Sequence, residues 1–125
     1  MCCGCSDAYA PSLVAQDPVP DVFRLPDPLS AEQAVLRTTL LFGLVESVRL
    51  NVDVGNEDVA LFELARVYLP SDGPRPDEHW HAACVVEGGF FRAKGILELL
   101  HEALHVSLRV EPTQAEFLHP GKAAR

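Results

Sequence analysis

Positive charge is scarce in this chain: ten Lys and Arg stand against eighteen Asp and Glu in 125 residues, giving a formal net charge of −8 and a pI near 4.9. Neutralising a phosphate backbone takes a basic face, and no Lys/Arg cluster here interleaves with aromatics, which excludes a free-standing nucleic-acid binder. Long apolar runs are missing too. None approaches the roughly 20 residues that span a bilayer, and the N-terminus lacks the charged and apolar parts of a secretory signal, so a cytoplasmic location without membrane contact is expected. Cysteine is sparse and badly spaced for a disulfide framework, with Cys2, Cys3 and Cys5 crowded at one end and Cys84 alone in an apolar stretch. Neither a Walker A loop nor a dinucleotide fingerprint can be written over Gly88, Gly89, Gly95 and Gly121, whose expected work is in turns.

What is present is a chain 48% hydrophobic, enough to bury one core but short of the size at which cores divide. Pro11, Pro18, Pro20, Pro26 and Pro28 stand too close together for a helix, so residues 1–27 read as a Pro-rich lead-in, with a short strand possible over 9–14. Ser30 and Gln33 form a capping-box pattern that by local rules starts a helix at Ala31, although the β-branched Thr38 and Thr39 argue against its continuing. From Leu41 the spacing Leu41, Leu44, Val48, Val52 predicts a helix, with Gly55 placed to end it in the left-handed conformation. Residues 58–69 are apolar on both alternating faces, as expected of a central strand covered on both sides. After a Pro- and Gly-rich loop, residues 80–87 read as a strand with Trp80, Ala82, Cys84 and Val86 on one face and His81, Ala83, Val85 and Glu87 on the other; the two strands should pair as an antiparallel hairpin. Residues 93–106 make the clearest amphipathic helix, its apolar arc running through Ile96, Leu97, Leu100 and Leu104 and its polar arc through Glu98, His101, Glu102 and His105. Short strands are expected at 107–111 and 115–118, either side of Pro112. Strands and helices alternate without a βαβ rhythm, so the class is α+β with an antiparallel sheet.

Few constellations carry chemistry. His101, Glu102 and His105 satisfy the HExxH pattern of zinc proteases, but Leu108 and Glu111 stand where the longer pattern needs Gly and His, and both histidines lie on the polar arc of a surface helix. Cys2, Cys3 and Cys5 with His79 or His81 do not have zinc-knuckle spacing, and Cys84 reads as a small buried hydrophobe. Glu63 and Arg66 fall within the central strand, where burial without a partner costs several kcal/mol, so each is expected to be paired or at an edge. Arg37 and Lys94 flank apolar elements and are open to either a structural or an intersubunit role.

Four segments are similar to those of the bacterial phenylalanyl-tRNA synthetase β-subunit family: LRTTLLFGL (36–44) resembles its LRTSLLPGL, DVALFELARVY (58–68) its DVALFEIGRVF, FRAKGILELL (91–100) its FDLKGVLEALL, and LHPGKAA (118–124) its LHPGRSA. The resemblance runs from about residue 28 onward and implies a truncated class II aminoacyl-tRNA synthetase-like antiparallel sheet with flanking helices, residues 28–125 being a partial catalytic-like core. In the family this domain lacks catalytic residues and packs against the α subunit, which holds the site for ATP, phenylalanine and the tRNA end. The hairpin then takes the place of the class II motif 2, and Leu69 stands where the catalytic subunit has a phosphate-holding arginine, which implies an inactive pseudo-site. Phe42 departs from the family by replacing the proline that opens its helix.

The implied structural or interface residues are Arg37 and Thr38 in the first segment, Glu63 and Arg66 in the second, Lys94 and Gly95 in the third, and His119, Pro120 and Gly121 in the fourth. No catalytic residue and no metal ligand are expected. Implied partners are the α subunit and the remainder of the β subunit, without direct tRNA contact, and ATP and magnesium belong to the assembled ligase and not to this piece. Open strand edges should leave the chain marginally stable or prone to associate through them. The rival readings are a stand-alone synthetase-like paralogue that binds an amino acid or regulates a partner enzyme, and the zinc hydrolase of the HExxH pattern.

Overall fold

The computed structural model describes residues 4–114 and 118–125. Cys2, Cys3 and most of the strand expected over 115–118 lie outside the described residues. The chain forms two compact units, residues 4–86 and residues 87–125. Two helices and short mixed and antiparallel sheets place it in the α+β class.

In the first unit, β1 (Ser6–Asp7) runs parallel to β4 (Ala60–Leu69), which pairs along its whole length with the antiparallel β5 (Asp77–Val86), from Ala60 opposite Val86 to Leu69 opposite Asp77. β4 is thus the middle strand, as its apolar sequence predicts, and residues 70–76 turn the hairpin. A second small sheet joins β2 (Leu13–Val14) to β3 (Val35–Leu36), placing a strand inside the 9–14 stretch.

Helix α1 (Leu41–Asp53) packs on one face of the hairpin: Leu44 is fully buried with Val59 and Leu61, and Val48, Ala83, Val85 and Ala8 close around them. Burying one such leucine contributes about 1.5–3 kcal/mol. The Thr39 hydroxyl accepts from the Leu41 amide at the helix start. At the other end Gly55, at φ +86°, donates to Val52 O (2.9 Å) while Asn56 donates to Asn51 O (3.0 Å), the paired bonds of a Schellman cap at the predicted glycine.

Three local expectations are corrected. The Ser30–Gln33 pattern makes no capping box: Ser30 is extended, its side chain makes no capping hydrogen bond, and only a 3-10 turn forms over Ala31–Gln33. Val35 and Leu36 are taken up by pairing with β2, and that long-range pairing outweighs the local helix signal. β4 is covered on one face only. Leu61, Glu63 and Val67 point into the core, whereas Phe62, Leu64 and Arg66 of the opposite alternation are exposed, together with Trp80, Ala82 and Cys84 across the hairpin. Cys84 is therefore a surface residue and not a buried hydrophobe.

In the second unit, α2 (Phe90–Leu104) begins three residues before its predicted start, immediately after Gly88 and Gly89, both at positive φ. It ends at His105, which adopts the left-handed conformation at φ 54°. No residue of α2 is buried, so its predicted apolar arc is exposed through Leu97, Leu100 and Leu104. The strand expected over 107–111 does not form. Extended pairing sits further on, where Glu111 and Arg125 exchange both main-chain hydrogen bonds (2.8 Å each) and Pro112 bridges Ala124. Among the described residues no helix is long and apolar enough to cross a membrane.

Candidate functional site

The most constrained polar group in the first unit is an ion pair. Arg37, directly after β3, is 4% exposed, and Glu63, in the middle of β4, is 1% exposed. The Arg37 guanidinium donates to Glu63 Oε1 (2.9 Å), to Ala10 O (3.0 Å) and to Arg66 O (3.2 Å). Around it the Ala10 amide donates to Glu63 Oε1 (3.4 Å), Arg37 N donates to Ser12 O, and Tyr68 N donates to Arg37 O. Arg37 therefore ties three separated stretches, residues 10–12, β3 and β4. Glu63 Oε2 is buried and has no hydrogen-bond partner among the described residues.

The neighbouring Thr38 is also buried. Its amide donates to Asp17 Oδ2 and its hydroxyl to Asp17 Oδ1, both at 2.8 Å. Ala10 is buried against α1 so closely that a Cβ added at Gly43 would lie 2.7 Å from the Ala10 Cβ. Residues 8–17 thus form a strap over the hairpin and helix, held by two carboxylates. Sequence reasoning found Arg37, Thr38 and Glu63 but missed Asp17, Ala10 and Gly43. Asp17 sits in the Pro-rich stretch, and the only local hint was an acidic residue just before a proline.

On the exposed face of the hairpin, Arg66 pairs with Glu78 and lies over the Trp80 ring, 5.4 Å from its centroid. Leu69 ends β4 beside the turn. On α1, Glu46 accepts a hydrogen bond from Arg49 (2.7 Å) and, by that bond first and its charge second, holds the exposed guanidinium above its ordinary pKa.

In the second unit, Lys94 pairs with Glu98 one turn on (3.2 Å) at an exposed position, and a Cβ at Gly95 would meet nothing within 4 Å. His119 accepts from the Gly121 amide through Nδ1 (3.1 Å) and its carbonyl from the Lys122 amide (3.0 Å), a local turn around Pro120. Gly121 and Lys122 line an open cleft of about 410 Å³ with Gly88, Gly89, Phe90 and Phe91. Of the HExxH residues, His105 has left the helix and His101 Nδ1 lies 3.1 Å from Val106 O, so the two imidazoles do not share one helical face. Among the described residues no three His, Cys, Asp or Glu side chains are grouped to hold one metal ion.

Residues 5–125 match the family model of the phenylalanyl tRNA synthetase beta chain CLM domain. The chain belongs to this family. Relatives called phenylalanine–tRNA ligase beta subunit include one from Geobacter metallireducens, 37% identical over 128 residues that cover 89% of this chain and 16% of the relative. One from Bacillus cereus is 36% identical over 114 residues, covering 78% and 14%, and one from Staphylococcus haemolyticus is 31% identical over 144 residues, covering 97% and 18%. The chain thus spans about a sixth of the length of these relatives. The match to the CLM domain begins at residue 5 and so takes in the strap as well as the four segments recognised in the sequence.

Proposed function

We propose that the chain is a noncatalytic structural and interaction part of a phenylalanine–tRNA ligase β subunit, supporting the α subunit as that enzyme attaches phenylalanine to tRNA. The observation that carries this reading is the CLM-domain match over residues 5–125 together with Leu69 at the end of the hairpin's first strand. A leucine cannot neutralise phosphate charge. On this reading ATP and magnesium are used by the α subunit.

The same proposal reads the β4–β5 hairpin and its flanking helices as part of a class II synthetase-like sheet, residues 28–125 as the partial catalytic-like core, and residues 1–27 as a lead-in whose strap docks on that core through Ala10 and Asp17. Arg37, Thr38 and Glu63 then act by fixing the hairpin's shape, and Arg66, Lys94, Gly95 and the His119–Gly121 turn are surface candidates for contact with the α subunit or the remainder of the β subunit. The net charge of −8 supports a role without direct tRNA contact, and the family's work in protein synthesis supports a cytoplasmic location.

The test is co-expression with the α subunit from the same source, followed by gel filtration with light scattering. A stoichiometric complex is expected. A chain that elutes apart from the α subunit at every concentration overturns the reading and favours a stand-alone paralogue.

A further inference from the structure

The chain has five histidines, and two of them stand apart from the rest. His101 Nδ1 lies against Val106 O, His119 Nδ1 accepts from the Gly121 amide, and His105 forms the left-handed end of α2. His79 and His81 are exposed on β5, and neither imidazole has a hydrogen bond or ion pair among the described residues. Successive strand residues alternate between faces, so these two, separated by one residue, project from the same face with their Cα atoms about 6.7 Å apart. β5 pairs residue for residue with β4, His79 opposite Val67 and His81 opposite Ala65, without a bulge that would turn one ring away from the other. The core under α1 takes in Ala83 and Val85 further along this face and leaves the two histidines to solvent.

From this arrangement we propose that His79 and His81 together chelate one divalent transition-metal ion of the nickel, copper and zinc class. Imidazole nitrogen suits these ions, which take it as a ligand at about 2.0–2.1 Å in the case of zinc. Two rings rooted side by side on one strand face can lean toward a common ion between their tips. Once one ring has bound, the strand holds the second beside the ion, so its binding is intramolecular and the pair outcompetes a lone imidazole. Asp77, the preceding residue on the same face, adds negative charge, and β5 contains no Lys or Arg to oppose a cation. Among the described residues no three His, Cys, Asp or Glu are grouped for a metal, so the protein supplies two ligands and water completes the coordination. Copper should bind more tightly than nickel or zinc, following the usual order for nitrogen ligands. This inference is independent of the ligase reading.

The experiment is calorimetric titration of the whole chain with nickel ion, using His79→Asn, His81→Asn, the double variant and His101→Asn. Residues 79 and 81 are exposed, and circular dichroism checks that each variant folds. The wild type is expected to bind one nickel ion. Each single β5 variant should bind at least about tenfold more weakly, and the double variant hardly more weakly than either, because losing one ring already removes the chelate. His101→Asn should bind as the wild type does. A wild type that takes up no nickel, a double variant that binds as well as the wild type, or single losses that add in the double variant overturns the proposal. Should a β5 variant fail to fold, magnetic resonance of the wild type decides. Nickel ion is paramagnetic, so small amounts should broaden the ring signals of His79 and His81 before those of His101, His105 and His119, and broadening of all five alike overturns the proposal equally.

Discussion

Glu63→Leu is the most informative single perturbation in the first unit. Glu63 is 1% exposed and is the charged partner of Arg37, itself 4% exposed, at 2.9 Å. Removing one member of a buried ion pair leaves the other charge out of water without compensation, which costs about 3–5 kcal/mol. Domains of this size have about 5–15 kcal/mol of total stability, so a large part of it should go. In urea, where the slope for small proteins is about 1–3 kcal/mol per molar, the unfolding midpoint should fall by at least about 1 M. Arg37→Met should be comparably severe, because the guanidinium also satisfies Ala10 O and Arg66 O. The double variant is the discriminating sample. With both charges gone no ion is stranded, and the loss should be smaller than the sum of the single losses by at least about 2 kcal/mol, at the upper end of measured couplings between contacting residues. Losses that add to within about 0.5 kcal/mol would refute the reasoning, since groups in contact inside a low-dielectric core cannot act independently.

Two further substitutions test the strap. Gly43→Ala should destabilise by about 1–2 kcal/mol by urea titration even though alanine favours a helix by about 1 kcal/mol, because its methyl would sit 2.7 Å from the Ala10 Cβ; a stabilised variant would mean that the strap does not lie on α1. Asp17→Ala removes the acceptor for both the amide and the hydroxyl of buried Thr38 and should cost about 1–3 kcal/mol, read as a lower Tm, whereas Asp17→Asn, which keeps one acceptor oxygen, should lose less; equal losses for the two would argue against these hydrogen bonds.

The parts of the fold written in short-range pattern were legible. The i, i+3, i+7 spacing from Leu41 and the glycine at 55 define a helix and its cap from neighbours in the chain, and both appear as read. The hairpin followed from two apolar runs around a Pro- and Gly-rich loop. Failures came where distant segments decide. Ser30 and Gln33 carry a helix signal of about 1 kcal/mol, which loses to the pairing of Val35 and Leu36 with a strand twenty residues upstream. The apolar alternation of β4 reports which residues tolerate burial, and it cannot say whether a covering element exists, so Phe62 and Leu64 were expected inside and are exposed. His105 was assigned to a helix whose left-handed end it forms, and with that the HExxH geometry dissolves.

The candidate site was legible in a different way. Composition and spacing supplied only exclusions, and the reading that survived came from the resemblance of four segments. What those segments could not convey is why Arg37 and Glu63 are both charged inside a core. A well-packed apolar pair of similar volume is often as stable as a buried ion pair or more so, so stability alone does not account for it. Geometry offers a reason. Arg37 reads the carbonyls of Ala10 and Arg66 at once, and a one-residue slip of the strap against β4 would present the wrong groups and turn every strand side chain to the opposite face. We hypothesise that the pair sets the register between strap and hairpin. The Arg37→Met, Glu63→Leu double variant separates the two roles. If it melts near the wild-type temperature but its amide spectrum shows doubled peaks for residues 6–14, the pair specifies register. A single sharp set of peaks at wild-type stability would mean that the pair contributes neither register nor stability.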